Sequence, residues 1–221
     1  MQTKNLSLYH IIKPSALKNK PIPVLFMLHG YGSDENDLFS FASELPENLC
    51  VISIRAPYAM QPFGNAWYAI NFDAEKGKWS DDEQAKISRD KIASFITEAC
   101  EAYGLDPTNV TLLGFSQGTI LSYAVALSYP EKVNAVIALS GYINEHILVE
   151  GYTSNDFRNL NFYCSHGSVD QVIPSAWAAK APDFLNKLGI KNTYEEFPVG
   201  HGVAPQNFLA LKKWLLHHVK M

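Results

Sequence analysis

One short stretch decides the fold: residues 110–125 read VTLLGFSQGTILSYAV. The apolar run at residues 110–113 predicts a strand, and the residues after Gln117 continue as a helix. Between them, Gly114-Phe115-Ser116-Gln117-Gly118 matches G-x-S-x-G, a tight strand-to-helix turn with a serine at its tip. Such a turn strains the backbone of Ser116 and exposes its hydroxyl at the sheet edge, where it is suited to act as a nucleophile. A plain turn with a capping serine is the alternative interpretation.

The alternation of strand and helix continues along the whole chain. Runs such as Val24-Leu25-Phe26-Met27-Leu28 are apolar at every position, as a strand covered on both faces requires. Strands are predicted at residues 6–12, 24–29, 50–54, 110–115, 133–139, 162–165 and 193–197. Helices are predicted at residues 34–45, 81–103, 117–128, 175–188 and 204–219, and an S-x-x-E capping box at Ser80-Asp81-Asp82-Glu83 opens the second of these.

This order predicts an α/β protein with a doubly wound, mostly parallel sheet and helices on both faces. Residues 6–12 alternate polar and apolar side chains, as an antiparallel edge strand would. No repeat, low-complexity tract or linker divides the sequence, so residues 1–221 are predicted to form a single domain.

Composition excludes several classes of protein. The 221 residues are 47% hydrophobic and 18% charged, with a formal net charge of -4. There is no apolar run of about 18 residues, so no transmembrane helix is expected, and the N-terminus lacks the apolar stretch of a signal peptide. The mildly acidic balance gives no electrostatic footprint for nucleic acid. An aromatic content of 12% is too high for a disordered chain.

The cysteines and histidines indicate neither a disulfide framework nor a metal site. Cys50, Cys100 and Cys164 are widely spaced and form no CxxC pair. Buried, reduced thiols and a cytoplasmic location are expected. No HExxH motif is present, and the chemistry predicted below needs no metal or organic cofactor.

A serine nucleophile needs an adjacent base, and that base needs an orienting acid. With this type of turn the chain order is serine, acid, histidine. After Ser116, Asp170 is the next carboxylate directly beyond an apolar strand, and His201 lies between two glycines after the following strand. We therefore predict Ser116 as nucleophile, Asp170 as acid and His201 as base. If Asp170 only caps a helix or stabilises its loop, the substitute acids are Asp156 and Glu196. The histidines that fit the order less well are His29 and His166.

Two backbone amides are predicted to form an oxyanion hole. One donor is the N–H of the residue after the nucleophile, Gln117. The other comes from the glycine-rich loop His29-Gly30-Tyr31-Gly32-Ser33-Asp34, in which the N–H of Tyr31 is the candidate. A phosphate cradle is a weak alternative for this loop, because no GxGxxG motif or Walker lysine is present.

These segments resemble the phospholipase/carboxylesterase family of α/β hydrolases, which includes the acyl-protein thioesterases. The matching runs span most of the chain: Leu28-His29-Gly30-Tyr31-Gly32, residues 114–118, residues 166–174 (HGSVDQVIP) and Gly200-His201-Gly202. The resemblance implies an α/β-hydrolase fold without a large cap domain and the same roles for the five residues predicted above. It also implies hydrolysis of carboxylic esters or thioesters with short or medium acyl chains. Residues 33–38 look more like the bacterial carboxylesterase branch of the family.

Two long connections are expected to shape the substrate site. Residues 56–79 are rich in aromatic side chains, which either form an apolar pocket or cover the edges of helices and sheet. The resemblance implies that Trp67 in this connection binds substrate. Residues 141–160 are expected to supply a rim. The expected partner is a small-molecule ester or thioester, without nucleic acid or a membrane span, and the sequence leaves a homodimer open.

Two other classes of function remain open. An acyltransferase or a peptidase would use the same three side chains with a second acceptor or a peptide amine. A non-catalytic binding module of the same fold is disfavoured, because a binding role does not require Ser116, Asp170 and His201 together.

Overall fold

A central sheet organises the computed structural model, which describes residues 3–18, 21–73 and 77–218. The strands of these residues are β1 His10–Lys13, β2 Val24–Leu28, β3 Cys50–Ile54, β4 Tyr58–Ala59, β5 Asn65–Ala66, β6 Ile70–Asp73, β7 Gly77–Ser80, β8 Val110–Phe115, β9 Ala135–Leu139, β10 Asn161–Gly167 and β11 Lys191–Phe197. The sheet order is β1-β3-β2-β8-β9-β10-β11. All neighbours in it pair in parallel except β1, which runs antiparallel to β3 at one edge. The predicted mostly parallel sheet is therefore confirmed.

Strand β2 shows why the sheet is covered on both faces. All five of its residues are buried, with Phe26 in one apolar cluster and Leu25 and Met27 in another. Since successive side chains of a strand point to opposite faces, each face needs its own layer of helices. Burial of one such side chain stabilises the fold by about 1.5–3 kcal/mol.

Helices supply both covering layers. They are α1 Asn36–Phe39, α2 Asp82–Tyr103, α3 Gln117–Ser128, α4 Ser175–Ala178, α5 Ala181–Lys187 and α6 Pro205–His218. Helices α2, α3 and α5 contribute to the cluster that contains Phe26. Helices α1 and α6 contribute to the cluster on the opposite face. Every residue of α3 is buried, because it lies against both the sheet and α2.

The helix predicted at residues 175–188 is divided into α4 and α5. Pro182 lies in the first turn of α5. Proline has no N–H to donate to the carbonyl four residues earlier, but it fits the first turn of a helix, so the chain ends one helix and begins another.

The helix predicted at residues 34–45 is also shorter than expected: α1 is followed by a separate 3-10 turn at Ala42–Glu44. The Ser40 hydroxyl donates to the carbonyl of Asp37 at 2.7 Å and competes with the helical pattern. Leu45 is extended, with ψ of 157°, as expected before Pro46.

The capping box predicted at Ser80 is wrong by one residue. The N-cap of α2 is Asp81, whose carboxylate accepts from the Gln84 amide at 3.0 Å. Ser80 is the last residue of β7 and pairs with Ile70 instead. The predicted end of this helix is confirmed, since Gly104 adopts a left-handed conformation with φ of 65°.

The connection between β3 and α2 contains two small hairpins that the sequence did not predict, β4–β5 and β6–β7. Strands of two to four residues are too short to produce a recognisable alternation of side chains. None of the helices in the described part of the chain is both long and apolar enough to cross a membrane.

Candidate active site

The backbone at the β8–α3 junction is strained at a single residue. Ser116 has φ of 53° and ψ of -116°, a conformation that non-glycine residues rarely adopt. Its N–H donates to Leu139 O at 2.9 Å, and its carbonyl accepts from the Ile120 amide at 3.1 Å. These two bonds hold the serine at the tip of the turn, at the first residue before α3.

Two glycines allow the strand and the helix to approach each other at this turn. A Cβ atom at position 118 would lie 2.0 Å from the carbonyl oxygen of Leu28, and one at position 114 would lie 2.5 Å from the carbonyl oxygen of Gly118. Any side chain at either position would push α3 away from β2 and β8. The G-x-S-x-G spacing is therefore required by backbone contact.

An imidazole bridges the serine and a carboxylate. His201 follows β11, and its Nε2 lies 2.9 Å from the hydroxyl oxygen of Ser116. Its Nδ1 lies 2.7 Å from Oδ2 of Asp170, which follows β10. The network assigns the proton to Nδ1, which donates to the carboxylate, and leaves Nε2 as the acceptor for the serine hydroxyl. The three residues meet because parallel strands end at the same edge of the sheet.

The carboxylate of Asp170 is fully buried but well supplied with donors. Its Oδ1 accepts from the amides of Val172 at 2.8 Å and Ile173 at 3.0 Å. Burial by itself would raise the pKa of Asp170. The hydrogen bonds from His201 and from these two amides more than offset burial and hold the pKa below its usual value. Asp170 is therefore ionised in the folded protein.

A second imidazole contacts the same carboxylate. Nε2 of His166 lies 2.9 Å from Ile173 O and 3.2 Å from Oδ2 of Asp170. Facing two acceptors, Nε2 carries the proton, and Nδ1 is buried without a partner among the described residues. His29 is equally buried: its Nδ1 donates to Gly30 O at 2.7 Å and its Nε2 accepts from Ala56 N at 3.0 Å. Neither ring is hydrogen-bonded to Ser116.

The two predicted oxyanion donors lie on segments that flank the serine. Gln117 is the first residue of α3, so its amide has no acceptor within the helix. Tyr31 follows β2, and its backbone N–H donates to no other described residue. Both residues line the same cavity as Ser116 and His201.

The cavity has a volume of about 1020 Å³. Its walls are largely aromatic and aliphatic, with a few charged groups. The aromatic members are Tyr31, Tyr68, Trp79, Tyr142, Trp177 and Phe184, and the charged or titratable ones besides His201 are Asp82, Glu145, His146 and Lys180. The size and composition suit a small organic ligand. Both long connections noted in the sequence therefore line the cavity. Residues 56–79 contribute Tyr68, Ile70 and Trp79, and residues 141–160 contribute Tyr142 and its neighbours.

Trp67 does not lie at this cavity. Its side chain is fully buried, and its indole Nε1 donates to the carbonyl of His29 at 2.9 Å. The residue that follows it, Tyr68, faces the cavity instead. From the sequence alone, a loop tryptophan that contacts substrate cannot be distinguished from one that is buried and holds the loop in place.

The other reactive groups of the chain are less suited to chemistry. The cysteines are free and buried, and desolvation raises the pKa of Cys50 to about 12, that of Cys100 to about 11 and that of Cys164 to about 12. Such thiols stay protonated and are poor nucleophiles. Within the described ranges, no three His, Cys, Asp or Glu side chains are grouped as metal ligands would be.

The sequence did not single out two cavity residues, and it considered His166 only as a less suitable base. The helix-borne Trp177 and Phe184 line the cavity, and His166 contacts Asp170. The only available signal for His166 was its place four residues before Asp170 in the run HGSVD. Nothing in the sequence separates Trp177 and Phe184 from surface aromatics.

Comparison with known proteins identifies relatives along most of the chain. The sequence model of the family described as Phospholipase/Carboxylesterase matches residues 10–219. Acyl-protein thioesterase 1 of Emericella nidulans is 26% identical over 222 residues, covering 90% of this chain and 91% of the fungal protein. A probable carboxylesterase of Oryza sativa subsp. japonica is 26% identical over 157 residues, which cover 70% of this chain but only 59% of the rice protein.

Solved structures show the same architecture. The esterase PE8 superposes with a TM-score of 0.82 at 24% identity, covering 97% of this chain and 100% of the other. The Bacillus cereus carboxylesterase superposes with a TM-score of 0.82 at 20% identity, covering 97% and 96%. Likeness at this level of identity concerns the fold, and it confirms the predicted α/β-hydrolase architecture.

Proposed function

Since the chain belongs to the phospholipase/carboxylesterase family, we propose that it hydrolyses carboxylic esters or thioesters of short to medium acyl chains through an acyl-enzyme intermediate. The observation that carries this proposal is the unbroken series of hydrogen bonds from Asp170 through His201 to Ser116, at 2.7 and 2.9 Å. The three side chains come from three separate loops, and a core-stabilising role would not require them to share one proton path.

Acylation begins with proton transfer. Nε2 of His201 takes the proton of Ser116 while the serine oxygen bonds to the carbonyl carbon of the substrate. The carbonyl oxygen becomes an oxyanion, which the N–H groups of Tyr31 and Gln117 stabilise, each donor being worth about 3–4 kcal/mol. The tetrahedral intermediate then collapses, its bond to the alcohol or thiol breaks, and the leaving group takes the proton from His201.

Deacylation repeats the steps with water. His201 accepts a proton from water as the water oxygen bonds to the acyl carbon, and the same amides hold the second oxyanion. Collapse breaks the bond to Ser116, which recovers its proton from the imidazole, and the free acid leaves. The ionised Asp170 keeps the proton of the neutral ring on Nδ1 and stabilises the positive ring in each transition state.

The cavity supports an apolar acyl or alcohol group of moderate size. Tyr142 and Trp177 pack edge to face with ring centroids 5.2 Å apart, and Trp177 keeps half of its surface exposed. An apolar ligand that covers this pair would remove that surface from water at about 25 cal/mol per Å².

The chain acts as a single domain, on a small-molecule substrate, without a metal or organic cofactor. Its three unpaired, buried cysteines support a reducing, cytoplasmic location. A homodimer is compatible with the proposed chemistry, because each protomer carries all five residues of the site.

Labelling with a fluorophosphonate probe tests the nucleophile. The wild type is expected to be labelled and to release p-nitrophenol from p-nitrophenyl acetate and butyrate, and Ser116→Ala is expected to lose both properties. Ser140→Ala is a matched control, because Ser140 has the same φ of 53° and is buried outside the cavity. Labelling that survives in Ser116→Ala would contradict the proposal. Products formed with an added alcohol distinguish hydrolysis from acyl transfer.

A further inference from the structure

A short strap lies across the loop that carries Tyr31. The strap, residues 64–68, joins the loop by two backbone bonds: Asn65 O accepts from Gly32 N at 2.9 Å, and Asn65 N donates to Ser33 O at 2.8 Å. The backbones touch here, because a Cβ atom at position 64 would lie 2.1 Å from Gly32 O. The strap therefore fixes the chain on the C-terminal side of Tyr31.

Trp67 fixes the N-terminal side of the same loop. Its indole Nε1 donates to the carbonyl of His29 at 2.9 Å. With the bonds of Asn65 to residues 32 and 33, this contact brackets Tyr31 between two attachment points on one strap. The amide of Tyr31 itself has no partner among the described residues.

The strap is also bound to the start of α3. The backbone N–H of Trp67 donates to Oε1 of Gln117 at 2.8 Å, and Nε2 of Gln117 donates to the carbonyl of Tyr68 at 2.8 Å. Gln117 and the indole of Trp67 are both buried. Trp67 thus makes direct hydrogen bonds to both segments whose amides are the oxyanion donors.

We propose that Trp67 is a positioning residue that sets the separation of the Tyr31 and Gln117 amides, an inference that rests on the proposed function. The two donors belong to different segments, the loop after β2 and the first turn of α3. Trp67 spans the gap with one bond from its side chain and one from its backbone. Because oxyanion donors must be held within about 0.5 Å of their productive positions, loss of one of these bonds is expected to lower the rate of the chemical step.

Trp67→Phe tests the inference, because it removes the indole N–H and keeps an aromatic ring. We expect kcat for p-nitrophenyl butyrate to fall by about 10- to 100-fold, part of the effect of removing a whole donor. KM is expected to stay within about threefold, since acylation and deacylation both pass through an oxyanion and slow together. The inhibition constant of phenylboronic acid, whose tetrahedral adduct occupies the same donors, is expected to rise with the fall in kcat.

Two further variants make the result unambiguous. Trp214→Phe removes a tryptophan that packs in the cluster on the other face of the sheet, and it is expected to keep kcat within twofold. Gln117→Leu leaves the indole in place and breaks the strap from the helix side, and it is expected to lower kcat in the same direction with unchanged KM. Thermal unfolding of each variant gives the fraction folded at the assay temperature.

The outcomes separate the inference from the proposed function. Wild-type kcat and boronate affinity in folded Trp67→Phe would overturn the inference, and so would a raised KM at constant kcat, which would make Trp67 a substrate contact. Activity retained in Ser116→Ala would overturn the proposed function and the inference together. Loss of boronate affinity parallel to kcat in both strap variants supports the inference.

Discussion

Replacing Asp170 by asparagine tests whether this carboxylate keeps the proton of His201 on Nδ1. The asparagine amide can adopt two orientations. Keeping its oxygen toward Val172 and Ile173 preserves the bonds now 2.8 and 3.0 Å long, whereas the reverse orientation leaves two buried N–H donors unpaired, at about 1–3 kcal/mol each. The first orientation is therefore favoured, and it presents an N–H group to Nδ1 of His201. The ring then carries its proton on Nε2, where it cannot accept the proton of Ser116.

The expected cost is a large part of the contribution of the base. Loss of the correct tautomer lowers kcat by about 10³–10⁴, which corresponds to about 4–5.5 kcal/mol of transition-state free energy. The free energy of unfolding changes much less, since the two backbone amides keep their acceptor. Steady-state hydrolysis of p-nitrophenyl butyrate at neutral pH, with urea unfolding of the same preparations, measures both quantities.

Two matched variants show whether Asp170 is the acid. Asp156 is exposed and bound to Arg158 at 2.6 Å, and Glu196 accepts from the hydroxyl of Tyr194 at 2.8 Å, so Asp156→Asn and Glu196→Gln are expected to keep wild-type kcat. A fall of only a few-fold in Asp170→Asn would refute the reasoning. A fall of orders of magnitude in either control would move the acid to that residue.

Two more results are expected. Gly118→Ala should lower the unfolding temperature strongly and abolish activity, because its Cβ would overlap a backbone carbonyl of β2 at 2.0 Å; wild-type stability would contradict this. Glu35→Gln should destabilise the protein by about 1–3 kcal/mol at pH 7, since a hydrogen bond from Arg55 lowers the Glu35 pKa. The difference in unfolding free energy between wild type and variant, measured with urea, should shrink as pH falls below about 4, because Glu35 then becomes protonated in the wild type.

The central strands could be predicted because both of their faces are buried. Strands β2, β3 and β9 are buried at every residue, so the sequence shows them as continuous apolar runs. The order of the site residues could be predicted for a related reason. Ser116 and Asp170 each follow a strand buried at all but one of its residues, β8 and β10. His201 follows β11, a partly exposed strand at the sheet edge, but a parallel sheet leaves little choice about the edge at which the three residues meet.

The features that could not be predicted depend on contacts between distant segments. Trp67 and Tyr68 are adjacent and both aromatic, yet the indole of Trp67 is bound to His29 O, whereas Tyr68 lines the cavity. The break between α4 and α5 comes from Pro182, which lies in the first turn of α5. The local sequence predicts neither which of the two aromatic residues lines the cavity nor whether a helix is kinked or interrupted at this proline.

The residues that hold the reacting groups and the residues that shape the cavity lie in different parts of the chain. Ser116 and Asp170 are each held by backbone hydrogen bonds, at the β8–α3 turn and in the loop after β10. The far wall of the cavity is formed instead by α4, α5 and the segment after β9, through side chains such as Trp177, Phe184 and Ile143. Because these side chains make none of the hydrogen bonds that hold the nucleophile or the acid, changes there alter the shape of the cavity without moving the reacting groups. Substitution of Phe184 or Ile143 is therefore expected to shift the preferred acyl length while the rate on acetate esters stays near that of the wild type.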